Sequence, residues 1–210
     1  MSTELLLFAE DAALGPDGLE YHEGFLTPAE EADLLAQIGV SEWLTDLSRR
    51  VLHFGFKYDY SNRRLDETAR IGPLPEWLTC LTLKIRQAAS VDVKPFLDQQ
   101  RPFEQAIINE YEPGQGIAPH IDRDCFGPVV ATVSLGSGIN MDFVRSATSE
   151  NHVERLEPRS LLLLYGDARV AWRHGIAKRR KDKWQGQTLE RKRRVSITFR
   201  TITDAGQLRD

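Results

Sequence analysis

The residues of this chain whose types and spacing favour chemistry are two histidines and an aspartate. His120-Ile121-Asp122 forms a His-x-Asp motif, and a second histidine, His174, lies on a later segment. In an extended segment His120 and Asp122 project to the same side, so an imidazole nitrogen and a carboxylate oxygen reach one ion. With His174 they form the ligand set of non-haem Fe(II) oxygenases, which leaves the opposite face of the metal open.

The same residue types also occur in proteins without an iron site. A lone His-x-Asp motif is common by chance, and a lone histidine such as His174 is typical of a protein core. Zinc is the competing metal, although a ligand set without cysteine favours iron. Cys80 and Cys125 lie far apart in the sequence without a Cys-x-x-Cys spacing, so we predict two free thiols.

A late predicted strand adds two arginines to the site. Side chains alternate along a strand, so Arg194, Ser196, Thr198 and Arg200 share one face and the apolar residues between them share the other. Arg194 and Arg200 are about 20 Å apart along such a strand, too far to grip one carboxylate together. Their long arms can converge on a short dicarboxylic acid beside the metal, which favours iron with an organic co-substrate. The alternative is a solvated basic strand face.

The rest of the chain indicates how these residues are held. Its 210 residues, 41% of them hydrophobic, predict a single domain with an N-terminal extension at about 1–102 and a catalytic core at about 103–202. In the extension, a capping box predicts a helix from residue 27 to Gly39, and a second helix is predicted at about 75–89. An aromatic strand is predicted between them at 51–60.

The core is predicted to consist of short strands separated by turns. The strands are expected at 106–111, 120–122, 129–135, 139–144, 160–165, 170–174 and 195–202. This pattern predicts an α+β, mainly β fold, a double-stranded β-helix or jelly roll with the N-terminal helices packed on its outer face. One face of the last strand would pack on those helices and the other would line a polar cavity.

Charge is distributed unevenly along the chain. The net charge of -4 and the pI near 5.8 argue against a general nucleic-acid coat protein. Between Arg173 and Arg194, however, ten basic and two acidic residues give a local excess of 10 − 2 = +8. This segment is either a solvated loop or a rim that contacts phosphates beside the metal site.

The sequence shows no feature of a membrane protein. No apolar run approaches the roughly 18 residues of a membrane span, and the first residues lack the basic region of a signal peptide. We therefore expect a cytoplasmic protein without a membrane partner, and we expect it to be a monomer.

Five segments together resemble AlkB-type Fe(II)/2-oxoglutarate dioxygenases. They are Asn109-Glu110-Tyr111-Glu112-Pro113-Gly114, His120-Ile121-Asp122, Ser134-Leu135-Gly136, Trp172-Arg173-His174-Gly175-Ile176 and the strand from Arg194 to Arg200. The resemblance covers roughly residues 20 to 202, and these motifs in this order are highly specific. It implies Fe(II), 2-oxoglutarate and O2 as cofactors.

The same resemblance implies a role for each motif residue. The implied iron ligands are His120, Asp122 and His174. Arg194 would bind the distal carboxylate of 2-oxoglutarate, with Asn109 and Tyr111 assisting. Arg200 would lie near the metal-bound end and belong to the catalytic residues. Ser196 takes a co-substrate position where well-known repair members carry asparagine.

Substrate residues are implied in two places. Asp124 matches the position where nucleobase-demethylating members place an acid that recognises the base, and the alternative is an exposed loop acid. The aromatic strand with Phe54, Phe56 and Tyr58 matches the substrate lid of the family, where aromatic faces sandwich an extruded base. The alternative is that these rings belong to the core. The His53-Phe54-Gly55-Phe56 segment also resembles the branch with vertebrate tRNA-modifying homologues.

Two functions of different classes follow. The favoured one is oxidative demethylation of alkylated nucleobases in DNA or RNA, as in alkylation repair, or hydroxylation of a modified tRNA base. The alternative is a protein-directed or small-molecule hydroxylase on the same scaffold, with the basic segment as a solvent loop. A metal-binding jelly roll without enzymatic activity would leave Asn109, Tyr111, Arg194 and Arg200 unexplained.

Overall fold

The computed structural model describes residues 15–41, 43, 49–57 and 69–203 of the chain. The helices in these ranges are α1 (Pro28–Gly39), α2 (Glu76–Ala88), α3 (Lys94–Gln99) and α4 (Gly166–Val170). The strands are β1 (Leu19–His22), β2 (Val51–Phe54), β3 (Gln105–Tyr111), β4 (Ile117–His120), β5 (Val130–Leu135), β6 (Ile139–Arg145), β7 (Asn151–Leu156), β8 (Ser160–Leu164), β9 (Trp172–Ile176), β10 (Lys181–Trp184), β11 (Gln187–Glu190) and β12 (Arg194–Arg200). None of the described helices combines the length and the apolar character needed to cross a membrane.

The strands form two antiparallel sheets and a separate hairpin. The six-stranded sheet has the order β1-β8-β5-β12-β3-β2, and the four-stranded sheet has the order β4-β9-β6-β7. Strands β10 and β11 pair only with each other within the described residues. Two antiparallel sheets with few helices are the architecture of a jelly roll, so the predicted mainly β fold class is confirmed.

The two faces of strand β12 lie in different surroundings. Val195, Ile197 and Phe199 are buried in one core with residues of α1, α2 and α3. The four alternate residues from Arg194 to Arg200 line a cavity on the opposite face. The prediction of a helix face and a cavity face is confirmed, because period-two alternation fixes this division wherever one face is buried.

A second core fills the space on the cavity side of the six-stranded sheet. Leu162 and Leu164 of β8 pack with Met141 and Phe143 of β6 and with Ile176 of β9. Because β6 and β9 belong to the four-stranded sheet, the two sheets face each other across this core and the cavity lies between them.

The N-terminal extension follows its predicted pattern in part. The capping box at α1 is present: the Glu30 backbone N–H donates to Thr27 Oγ1 at 3.2 Å, and the Thr27 N–H donates to the Glu30 carboxylate at 2.8 Å. The predicted strand at 51–60 ends earlier, at Phe54. Gly55 has φ +78, and a Cβ there would lie 1.7 Å from the Glu104 carbonyl oxygen, so only glycine permits this turn.

Three predicted strands of the core differ from the observed bounds by two residues or more, and several elements were not predicted. The strand expected at 120–122 ends at His120, and the one expected at 170–174 begins at Trp172 because Gly166–Val170 forms α4. The strand expected at 195–202 begins and ends earlier, as Arg194–Arg200. Strands β1, β7, β10 and β11 and helix α3 were missed.

Candidate active site

The structure brings His120, Asp122 and His174 together. Strands β4 and β9 pair antiparallel with His120 directly opposite His174, and the two ring centroids are 4.6 Å apart. Asp122 follows β4 by two residues, and one potential ligand atom from each of the three residues lies within 4.8 Å of the others. His174 Nε2 is 3.5 Å from Asp122 Oδ2, close to the roughly 3 Å between adjacent ligands of one ion.

The histidines present unprotonated nitrogens to this cluster. His120 Nδ1 lies 2.9 Å from the Ala118 carbonyl oxygen and donates to it, so Nε2 is the nitrogen left for a metal. Burial lowers the pKa of His174 to about 4, despite the opposing effect of the Asp122 charge. Both observations fit metal ligands, because a histidine binds metal in its neutral form.

Asp122 is held as a carboxylate by arginine. Burial raises the pKa of this carboxyl, but the charge of Arg200, with smaller effects from His174 and Arg169, outweighs burial and lowers the pKa below its usual range. Arg200 Nε donates to Asp122 Oδ1 at 2.8 Å, and Arg200 Nη2 lies 2.7 Å from the same oxygen in an ion pair. Asp122 Oδ2 is buried without a hydrogen-bond partner among the described residues, as expected of an oxygen reserved for a metal.

Arg194 is a buried cation at the other end of the same cavity. It is 1% exposed, and its Nη2 donates to Ser134 Oγ at 2.8 Å. Its Nε is buried without a hydrogen-bond partner, and no carboxylate in the described ranges forms an ion pair with it. Burial lowers the pKa of Arg194 to about 10. A buried unpaired guanidinium is costly, and a ligand carboxylate would neutralise it.

The remaining co-substrate candidates surround Arg194. On β3, Asn109 lies opposite Ser196 and Tyr111 lies opposite Arg194, and all four side chains line the cavity. The Tyr111 ring centroid is 5.5 Å from the Arg194 guanidinium carbon. At the metal end, Arg200 keeps one buried donor, Nη1, without a partner among the described residues. The predicted residues of the pocket therefore share one cavity.

Sequence reasoning missed Arg169, which holds the loop that carries Asp122. This arginine of α4 is 4% exposed, and it donates to the backbone carbonyl oxygens of Asp122 at 2.8 Å and Arg123 at 2.9 Å. A further bond of 3.4 Å reaches the carbonyl oxygen of Phe126. No local pattern predicts such a contact, because donor and acceptors are more than 40 residues apart in the chain.

The structure places the predicted substrate residues that it describes in different surroundings. Asp124 is exposed on the loop after Asp122 and lies outside the set that lines the cavity. Phe54 packs edge-to-face on Trp77 of α2, with centroids 5.7 Å apart, so it lies on the helix side of the sheet and away from the cavity. Phe56 packs against Phe126 in the 122–126 loop. Tyr58 lies outside the described residues.

The basic segment is a hairpin built on a buried aspartate rather than a simple loop. Asp182 is 0% exposed and accepts hydrogen bonds from Arg179, Arg191 and Arg155. These arginines therefore neutralise a buried charge. The exposed basic residues of the hairpin and its flanks are Arg173, Lys178, Arg180, Lys181, Lys183, Lys192 and Arg193. The counted excess of +8 overstates the charge that is available to a partner.

A second, larger groove lies away from this chemistry. It has a volume of about 720 Å³ and is lined by Phe56 and by residues of α2, α3 and the segments 70–74 and 100–104. Within the described residues, the only cluster of three metal-ligating side chains is the one at His120, Asp122 and His174. We therefore place the active site in the cavity between the sheets.

A jelly roll with two histidines, one carboxylate and a buried unpaired arginine in one cavity has the features of a 2-oxoglutarate-dependent Fe(II) oxygenase. Residues 36–200 match the 2OG-Fe(II) oxygenase superfamily. The chain therefore belongs to that superfamily, and within it to the AlkB type, to whose members it is similar along most of its length. It is a 2-oxoglutarate-dependent dioxygenase with Fe(II), 2-oxoglutarate and O2 as cofactors.

Three relatives show the extent of this similarity. The uncharacterized protein L905 of Acanthamoeba polyphaga mimivirus is 35% identical over 89% of this chain and 85% of the viral protein. The alkylated DNA repair protein ALKBH8 homolog of Arabidopsis thaliana is 32% identical over 91% of this chain and 60% of the plant protein. The tRNA (carboxymethyluridine(34)-5-O)-methyltransferase alkbh8 of Xenopus tropicalis is 34% identical, and the match spans 89% of this chain but only 32% of that protein.

Solved structures agree on the fold. A structure of OsALKBH1 superposes with a TM-score of 0.66 and 17% identity, over 88% of this chain and 96% of the other. A prolyl-4-hydroxylase from Pseudomonas putida superposes with a TM-score of 0.59 and 14% identity, over 89% and 93%. At these identities the likeness shows the shared fold.

Proposed function

We propose that this chain oxidises an alkyl group on a nucleobase of DNA or RNA, or hydroxylates a modified base of tRNA. The observation that carries the proposal is that one cavity contains both the two-histidine, one-carboxylate cluster and Arg194, which has no ion-pair partner among the described residues. The cluster fits Fe(II), and the arginine fits the distal carboxylate of a dicarboxylic acid. The proposed iron ligands are His120, Asp122 and His174.

The protein's own residues position the reactants and protect the site. Iron, 2-oxoglutarate and dioxygen together supply the oxidation of a C–H bond. Arg194 would anchor the co-substrate, with Asn109, Tyr111 and Ser196 beside it. Arg200 keeps Asp122 ionised and in place through a hydrogen bond from Nε and an ion-pair contact of Nη2, both to Oδ1. Leu162 and Leu164 line the same cavity and would shield the reactants from water.

The nucleic-acid substrate is supported by two kinds of observation. First, the names of several relatives specify nucleic acid, including a probable RNA/DNA demethylase ALKBH6 of Danio rerio at 27% identity and a DNA N6-methyl adenine demethylase of Caenorhabditis elegans at 27%. Second, exposed basic residues such as Lys178 and Arg180 follow directly after β9, whose last residue, Ile176, lines the cavity. Such residues suit phosphate contacts, whereas Asp124 and Phe56 are the proposed contacts to the base.

The proposal is tested by mass spectrometry of nucleosides. Methylated DNA, RNA and total tRNA are incubated with protein, Fe(II) and 2-oxoglutarate, with the Asp122→Ala variant as control. We expect one methylated nucleoside to decrease with release of formaldehyde, or one tRNA nucleoside to gain an oxygen atom, with the wild-type protein alone. Succinate formation on added protein or small-molecule substrates, with all nucleosides unchanged, would instead support the alternative hydroxylase.

Two finer expectations also stay proposals: a cytoplasmic location and a monomeric state. Imaging of the tagged chain in cells tests the location. Sedimentation equilibrium at micromolar concentration tests the monomeric state, since a dimer would give about twice the molar mass of the monomer.

A further inference from the structure

Arg49 lies beside the proposed co-substrate residues although it precedes β2 and is distant from them in sequence. Its Nε donates to Asn109 Oδ1 at 2.8 Å. Its guanidinium carbon is 5.8 Å from the Tyr111 ring centroid, and the Arg194 guanidinium carbon is 5.5 Å from the same centroid. Two guanidinium groups therefore lie against Tyr111, and one of them also contacts Asn109.

The contact with Arg49 fixes the orientation of the Asn109 amide. Arginine carries only hydrogen-bond donors, so the Asn109 atom that faces it has to be the carbonyl oxygen. The amide nitrogen Nδ2 is then turned away from Arg49. Asn109 is 8% exposed and its side chain lines the cavity, and within the described ranges no oxygen accepts a hydrogen bond from Nδ2. Two N–H donors are thus left for a ligand.

The orientation matters because the two ends of an amide have opposite effects on an anion. An amide nitrogen donates to a carboxylate, whereas an amide oxygen at the same place repels it. Without Arg49, the Asn109 side chain could rotate by half a turn and present either end. Arg49 also forms no ion pair with an acidic side chain in the described part of the chain, so its charge adds to the positive potential at Tyr111.

We propose that Arg49 is a positioning residue of the co-substrate pocket. It holds the Asn109 amide with its N–H donors directed at a carboxylate of 2-oxoglutarate. This inference rests on the proposed assignment of Asn109, Tyr111 and Arg194 to that co-substrate. Arg49 acts through Asn109, so removing it should change the affinity for 2-oxoglutarate more than the maximal rate.

The neighbouring Arg50 provides a matched control. Its Nε donates to Glu110 Oε1 at 2.7 Å, and its guanidinium carbon lies 5.0 Å from the ring centroid of Trp43. Arg50 is therefore an arginine of the same segment that is also bound to β3, but its contacts are to Glu110 and Trp43 instead of Asn109 and Tyr111. Glu110 keeps Arg193 as a partner when Arg50 is replaced.

The experiment measures 2-oxoglutarate binding by calorimetry to the full chain loaded with Mn²⁺, which replaces iron without turnover. We expect Arg49→Met to weaken binding about tenfold, equivalent to about 1.4 kcal/mol. Arg49→Lys should recover part of the loss, because lysine still donates to Asn109 Oδ1. Arg50→Met should bind like the wild type. In turnover assays, Arg49→Met should raise the KM for 2-oxoglutarate and leave kcat nearly unchanged.

A double-mutant cycle with Asn109→Ala then tests the mechanism of the effect. If Arg49 acts through Asn109, Arg49→Met causes no further loss in the Asn109→Ala background. If the two substitutions instead weaken 2-oxoglutarate binding independently, so that their fold-losses multiply in the double variant, the positioning role is overturned. It is also overturned if Arg49→Met binds 2-oxoglutarate like the wild type while Asn109→Ala binds it weakly. If Asn109→Ala itself binds 2-oxoglutarate normally, the proposed assignment of Asn109 is wrong and the inference is overturned with it.

Discussion

Replacing Arg194 with methionine should weaken 2-oxoglutarate binding strongly without destabilising the ligand-free chain. Arg194 is 1% exposed, and its one side-chain hydrogen bond among the described residues goes to Ser134 Oγ. An arginine that serves the fold normally has a carboxylate partner, whereas this guanidinium has none in the described ranges. Its burial is a cost to the folded protein that a ligand would offset.

The expected sizes of both effects follow from the lowered pKa of Arg194 and from the loss of its carboxylate partner in the complex. Burial lowers the Arg194 pKa from the ordinary value of an arginine to about 10, so at about 1.4 kcal/mol per pH unit the charged form is disfavoured by on the order of 3 kcal/mol. Methionine removes this cost and loses about 1 kcal/mol with the Ser134 hydrogen bond. In the complex, losing one partner of a buried charge pair costs about 3–5 kcal/mol, which weakens binding at least about 100-fold.

Two measurements on one variant test this reasoning. Urea unfolding of the metal-free chain without 2-oxoglutarate should give an Arg194→Met free energy of unfolding equal to or above that of the wild type. Calorimetry should show the loss of 2-oxoglutarate affinity. Arg193→Met, which removes an exposed arginine bound to Glu110, is the control for affinity. Unchanged affinity in Arg194→Met, or destabilisation by several kcal/mol, would refute the assignment.

Three further predictions concern other parts of the molecule. Arg169→Met should free the loop that carries Asp122 and weaken Fe(II) binding at least about tenfold, measured by metal titration, because about two charged hydrogen bonds are lost. Burial, with Lys57 and Arg200, lowers the pKa of His53 to about 4, so the unfolded chain binds more protons between pH 6.5 and 4. Stability in urea should therefore fall as the pH falls through this window, and less steeply in His53→Asn. Replacing Lys178 and Arg180 with alanine should weaken RNA binding and flatten its salt dependence, whereas a normal salt slope in filter binding would exclude a phosphate contact there.

Local patterns predicted the parts of the site that depend on local geometry. Period-two alternation is enough to place Arg194 and Arg200 on one face of β12, and the packing of Val195, Ile197 and Phe199 on the helices fixes which face is the cavity. The pairing of β12 with β3 joins segments that are distant in the sequence, so the alternation along β12 does not predict it. The resemblance implied that Tyr111 assists Arg194, and the structure adds that the two residues lie opposite each other on β3 and β12.

Contacts between distant segments were not predictable from the sequence. Arg49 and Arg169 reach residues 60 and 47 positions away, and neither lies in a motif. The location of Phe54 was also not predictable from the sequence. Alternation places Phe54 and His53 on opposite faces of the strand, but it does not indicate which face packs against the helices. The turn at Gly55 then ends the alternation before Phe56.

The basic segment shows why counting charges is insufficient. Seven of its basic residues are exposed, but Arg179 and Arg191 are bound to Asp182, which is fully buried. The sequence gives no sign that Asp182, which belongs to this surface hairpin, is itself buried. The single-domain organisation and the boundary near residue 102 stay predictions.

In the proposed active site, one cavity holds Fe(II) through His120, Asp122 and His174 and holds 2-oxoglutarate through Arg194. The most direct measurement is Fe(II)-dependent conversion of 2-oxoglutarate to succinate by the wild-type chain and by alanine variants of the three ligands. We predict succinate formation by the wild type and its loss in each variant, with folding retained by circular dichroism. Equal succinate formation by all three folded variants would contradict this assignment.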